Sequence, residues 1–150
     1  MNRTTRAEAS IEIDAPPDTV WTITSDPRNL PHWDRHIEAA HVARETLGPG
    51  AAYEVRMRFM AVTARVQVEV EEWEPPWRAV LQLRSALLQA TVTTTVASLP
   101  FDRSLLRHQV RYRFRGPLGL FGARSLNAVG GAQLALRRGL TAQKREIESR

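Results

Sequence analysis

Cysteine is absent from the 150 residues, which excludes disulfides, thiolate metal sites and a cysteine nucleophile while leaving the redox compartment open. Long apolar runs are missing too. No stretch approaches the roughly 18 residues needed to span a bilayer, and the charged opening Met1-Asn2-Arg3-Thr4-Thr5-Arg6 is not followed by the apolar segment of a secretory signal. The expectation is a soluble, cytoplasmic protein. Lysine is nearly missing as well: Lys144 is the only one, so arginine carries most of the 21 basic side chains that outnumber 16 acidic ones. The resulting net charge of +5 and pI of about 10.9 raise the question of an acidic partner.

Several chemical signatures are also lacking. There is no His-Glu-x-x-His zinc sequence, no phosphate-cradling glycine loop and no nucleophile elbow. Gly116, Gly119 and Gly122 are closely spaced, but the parallel βαβ context of a dinucleotide fingerprint is not there. His32 and His36 stand four apart, yet Pro31 before them and a strand after them argue against a shared helical face that could hold a metal. Neither a metal nor a cofactor is expected.

What the chain does contain is alternation. Ala9, Ile11 and Ile13 oppose Glu8, Ser10, Glu12 and Asp14 in a first strand with one wet side. Pro16-Pro17 stops it and suits the first turn of a short helix with Val20, Trp21 and Thr24 inside, and Asp26-Pro27 opens a second helical turn. The segment 37–46 shows no clear inward face. After the turn Gly48-Pro49-Gly50, the inward series are Tyr53, Val55, Met57 and Phe59; Ala64, Val66, Val68 and Val70; Ala79, Leu81 and Leu83; Ala90, Val92, Thr94 and Val96; and Leu106, His108, Val110, Tyr112 and Phe114. Residues 118–150 read as a single long helix, because Leu126, Val129, Leu136, Leu140 and Ile147, with Gln133, follow its 3.6-residue period. Gly130-Gly131 would then lie inside that helix, at about 0.8–1 kcal/mol per glycine relative to alanine.

This order predicts an α+β class with a mostly antiparallel sheet in one domain, 1–150. Seven strands about 4.8 Å apart span roughly 34 Å, whereas a helix is about 10–12 Å across. One helix cannot cover so wide a sheet while it stays flat. The sheet must curl, and inner faces rich in Ala and Val leave space inside the curl.

Residues from the end of strand 1 to the start of the last helix are recognisable together. They are Ile11-Glu12-Ile13-Asp14-Ala15-Pro16-Pro17 leading to Val20-Trp21, Asn29-Leu30-Pro31-His32-Trp33-Asp34, Gly48-Pro49-Gly50, Trp73-Glu74-Pro75-Pro76, and Tyr112-Arg113-Phe114-Arg115-Gly116-Pro117-Leu118-Gly119. In this order the chain resembles the helix-grip superfamily of START domains and the major birch-pollen allergen, in its polyketide cyclase/dehydrase and lipid-transport branch. The resemblance implies a curved seven-stranded antiparallel sheet wrapped around a long C-terminal helix, two short helices between strands 1 and 2, and a largely apolar pocket. Because that superfamily includes both carriers and cyclases, it does not select an activity.

His108 stands first among the candidate site residues, an imidazole in an otherwise apolar and aromatic inward series that could act as general acid or base or orient a carbonyl. Tyr53, Thr94, Tyr112 and Gln133 are the other inward polar groups, a sparse set of the kind that orients a small molecule. Met57 is an adaptable wall, and Trp33 matches the family's tryptophan near the pocket mouth. The expected ligand is a hydrophobic small molecule, such as a lipid, a polyketide or another cyclic apolar compound, carried or sensed; the alternative is a cyclase or dehydratase using His108. Arg107, Arg111, Arg113 and Arg115 form an outward stripe that Glu8, Glu12 and Asp14 would partly pair across strands. Without stacking aromatics the stripe does not suggest nucleic acid. A homodimer is compatible with the sequence.

Overall fold

In the computed structural model, residues 4–34, 37–42, 47–59, 62–86, 88–116 and 131–150 are described. Strand β1 (Thr5–Ile13) runs to the Pro16-Pro17 pair, where helix α1 (Pro17–Thr24) begins with proline in its first turn. Helix α1 buries Val20, Trp21 and Ile23. Thr24, expected inside, is only half-buried and donates its hydroxyl proton to Val20 O at 2.8 Å. A 3-10 turn (Pro27–Asn29) follows, capped by Asp26, whose Oδ1 accepts from Arg28 N at 3.0 Å; it passes directly into α2 (Leu30–Trp33).

The remaining strands are β2 (Ile37–His41), β3 (Ala52–Phe59), β4 (Val62–Glu74), β5 (Arg78–Arg84), β6 (Leu88–Leu99) and β7 (Arg103–Phe114). They form one seven-stranded sheet in the order β1-β7-β6-β5-β4-β3-β2, with every pair antiparallel. This is the helix-grip arrangement expected from the sequence, with the sheet curled about the C-terminal helix, α3 (Gly131–Glu148). At about 1.5 Å per residue α3 is about 27 Å long.

Two local features depart from the sequence expectation. Gly131 has φ +75°, outside the right-handed helical region, so α3 begins there and Gly131 is not the interior of a continuous helix. The part of the predicted helix over 118–130 lies outside the described residues, as do Leu126 and Val129. In the 37–46 segment, the β2–β3 register slips between Ile37 and Ala39. A bulge of this kind breaks the two-residue alternation, which is why no inward face could be read there. Among the described residues of this segment, Ile37, Ala40 and Val42 pack inward.

The apolar interior is divided. One cluster joins Ile13 of β1, Val20 and Trp21 of α1, Leu106 of β7, and Leu140 and Ile147 of α3. The other consists of Tyr53 and Val55 of β3, and Val66, Val68 and Val70 of β4, with Ala51 beside them. Ser104, fully buried at the foot of β7, donates its hydroxyl proton to Ala15 O at 2.7 Å and ties the β1–α1 corner to the first cluster.

On the outer face, Arg103 pairs with Glu12 at 3.1 Å and Arg107 pairs with Glu8, as cross-strand pairing predicts. Farther along, Arg111 lies opposite Arg6, and Arg113 donates to Gln89 Oε1 at 2.7 Å. Asp14 lies beyond the end of β1, and its backbone N–H bonds Glu148 Oε1 at 2.9 Å.

Candidate functional site

A pocket of about 630 Å³ lies between the sheet and α3, bordered by residues of both apolar clusters. Its size falls within the roughly 300–1,000 Å³ common for small-molecule sites. From the sheet come Tyr53, Val55 and Met57 of β3, Val66 and Val68 of β4, Leu81 and Leu83 of β5, Ala90, Val92 and Thr94 of β6, and His108, Val110 and Tyr112 of β7. Trp21 of α1, Trp33 of α2 and Trp73 of β4 add aromatic surface, and Trp21 and Trp73 meet edge to face with centroids 5.1 Å apart. The wall from α3 includes Leu136, Leu140 and Gln143.

The position of His108 follows from the β6–β7 hairpin. Its three-residue turn, Pro100-Phe101-Asp102, places φ +64° at Phe101 and φ +54° at Asp102 and pairs Leu99 with Arg103. A hairpin turn sets the register of its strands, and counting inward from that pair brings Thr94 opposite His108. On the other side of β7, Ala9 is the partner of His108 and its small side chain leaves the ring room to turn toward α3.

His108 is held at both ring nitrogens. Nδ1 lies 2.8 Å from Thr94 Oγ1, and Nε2 lies 3.0 Å from Gln143 Oε1. A carboxamide oxygen can only accept, so Nε2 carries the proton, and Nδ1 accepts the proton of the Thr94 hydroxyl. A neutral imidazole satisfies both contacts. Burial holds its pKa below the ordinary value, against a smaller upward effect from the Gln143 hydrogen bond. Burial also pushes the Tyr53 phenol upward. It does the same for Tyr112, where a hydrogen bond with the Thr5 side chain acts in the opposite direction. Both phenols are therefore protonated near neutral pH.

Residues 4–148 match the sequence profile of the family described as polyketide cyclase/dehydrase and lipid transport. The chain belongs to that family. Solved structures of similar fold include a protein from Thermus thermophilus, 16% identical with TM-score 0.77 over 97% of this chain and 98% of that one. The Zhui aromatase/cyclase from Streptomyces sp. R1128 is 14% identical, with TM-score 0.79 over 97% of this chain and 94% of that chain. A START superfamily protein from Mycobacterium smegmatis is 13% identical, with TM-score 0.70 over 95% and 98% of the two chains. At these identities the likeness establishes the fold. A sequence search of curated proteins gave no significant match.

In this member of the polyketide cyclase/dehydrase and lipid-transport family, Trp33, Tyr53, Met57, Thr94, His108 and Tyr112 all line the cavity. Gln133 does not. Its amide is spent on β1, where Oε1 accepts from Glu8 N at 3.1 Å and Nε2 donates to Glu8 O, so its role is to fasten α3 to the sheet edge. The inward glutamine is Gln143, 5% exposed, and sequence reading missed it. A signal was present: Leu136, Leu140, Gln143 and Ile147 keep steps of four, three and four along one helical stripe. Trp73 was missed for another reason. The β4–β5 register slips between Val70 and Glu72, which reverses the alternation just before Trp73.

His32 meets an acidic side chain of α3. Its Nδ1 lies 3.2 Å from Glu146 Oε1, linking α2 to α3, and His36 lies outside the described residues. Among the described residues no three His, Asp or Glu side chains converge, and no helix is long and apolar enough to cross a membrane.

Proposed function

We propose that the protein, acting as one domain over residues 1–150, binds a hydrophobic small molecule between its sheet and its C-terminal helix as a carrier or sensor. The ligand class is a lipid, a polyketide or another cyclic apolar compound, and the contacting residues are Trp33, Tyr53, Met57, Thr94, His108 and Tyr112. One observation carries this reading: a cavity of about 630 Å³ whose wall is mostly Val, Ala, Leu and aromatic side chains, with only a few hydrogen-bonding groups. Native mass spectrometry of the purified protein, with solvent extraction and a panel of apolar compounds, tests it. Retention or uptake of at least one apolar compound in a one-to-one complex is the expected outcome, and refusal of the whole panel would reject the proposal.

The second reading is a cyclase or dehydratase in which His108 exchanges a proton with the bound molecule while a tyrosine phenol polarises its ketone. The position of His108 on the cavity wall favours it. Against it stands the engagement of both ring nitrogens by Thr94 and Gln143, with no carboxylate on either to support an imidazolium. Turnover of aromatic polyketide precursors at equal rates by wild type and His108→Ala would eliminate this reading; a loss of about 10²-fold or more would support it.

A further inference from the structure

Gln143 is buried, yet only half of its amide is used within the protein. Its Oε1 accepts from His108 Nε2, while its Nε2 makes no hydrogen bond among the described residues. No buried side-chain nitrogen or oxygen in those residues is both sealed off and unpartnered. The Gln143 amide nitrogen therefore opens onto accessible space, and the space Gln143 borders is the cavity.

The orientation of this donor follows from the contact its oxygen makes. Gln143 Oε1 accepts from His108 Nε2, which leaves Nδ1 to accept from the Thr94 hydroxyl, and the amide plane turns the two N–H bonds of Gln143 away from the imidazole. The chain Thr94–His108–Gln143 crosses from β6 to β7 to α3, so three separate elements fix the direction in which one NH₂ group points. Nothing in the chain carries a formal charge while the ring is neutral.

Resting on the apolar-ligand reading above, we infer that the occupant is an uncharged molecule bearing a hydrogen-bond acceptor, such as a ketone or ester oxygen, and that this oxygen docks on the Gln143 amide. An ionised carboxylate is disfavoured because it would enter the cavity without a cation beside this donor. Arg138 is the guanidinium that borders the cavity among the described residues. It is exposed and five positions before Gln143, about 140° around the helix, so it addresses a different part of the rim.

Isothermal titration calorimetry at pH 8 with three probes sharing one ring system tests the inference: naphthalene, 2-acetylnaphthalene and 2-naphthoate. The ketone should bind at least tenfold tighter than the carboxylate and about fivefold tighter than the hydrocarbon. Gln143→Leu should remove the advantage of the ketone over the hydrocarbon, read as the ratio of the two affinities within the variant. Equal affinities for the three probes, or a preference for the carboxylate, would overturn the inference and leave the apolar-ligand reading standing. Failure of all three to bind would overturn the inference, while the apolar-ligand reading falls only if the wider panel of apolar compounds is refused as well. If Gln143→Leu does not fold, the wild-type ranking of the probes still decides.

Discussion

The two apolar clusters are built from different materials and perform different tasks. Around α1, β1, β7 and α3, large side chains interlock: Trp21, Ile13, Leu106, Leu140 and Ile147 are all buried against one another. On β3 and β4 the described buried residues are chiefly valines, with Tyr53 the one large side chain among them, and α3 contributes no residue to this cluster. The first half holds the helix on the sheet. The second is a wall of short side chains, and the pocket lies between it and the packed half. A well-packed interior resists any loss of volume, whereas a wall facing a void tolerates added volume.

The largest effect should come from breaking the packed half. Leu140→Ala is expected to cost about 2–5 kcal/mol, since Leu140 is 2% exposed and anchored between α1 and the sheet. Urea unfolding would measure it, and a loss below about 1 kcal/mol would mean that this half is not the packed one.

A smaller effect should come from the boundary between the halves, through pH. The His108 pKa is depressed in the folded protein, so the unfolded chain takes up the proton first as pH falls. The stability contributed by the neutral ring is complete above the unfolded pKa of about 6.5 and is lost as pH drops toward the folded pKa, at no more than ~1.4 kcal/mol per pH unit. His108→Gln should flatten this part of the stability profile below pH 6.5. Asp26, Glu146 and Glu148 are held below the usual carboxylate range, so their contributions disappear in a separate, more acidic window near pH 4 and below. An unchanged slope between pH 5 and 6.5 in the variant would show that His108 is not the group responsible.

The smallest change in stability is expected where volume is added to the open half. Val68 borders the cavity from β4, and Val68→Phe should shift unfolding free energy by less than about 1 kcal/mol, under the roughly 1–3 kcal/mol usual for overpacking a filled core. The same variant should lose uptake of apolar compounds. A large loss of stability would show that the wall behaves like the packed half.

Much of this contrast was legible before any coordinates. The valine series of β4 and the mixed inward series of β7 announce their faces, because a strand's side chains alternate by geometry alone. Where a bulge adds a residue, at Ile37/Ala39 and at Val70/Glu72, that local rule fails, which is why β2 could not be assigned and Trp73 was overlooked. Glutamine was the other difficulty. Gln133 and Gln143 both occur on or near the apolar stripe of the last helix, and neighbouring strands decide which of them faces a backbone and which faces a void.

The amino-acid order by itself determined which residues face inward on each regular strand, that one helix must serve a sheet too wide for it, and that no thiol chemistry is available. Tertiary structure decided that Thr94, His108 and Gln143 meet. They are brought together by a hairpin register, by the small Ala9 beside the ring and by the docking of α3, and each of these is a contact between segments far apart in the chain. Periodicity is a local property of the backbone, whereas the direction of a hydrogen bond depends on what the distant partner presents.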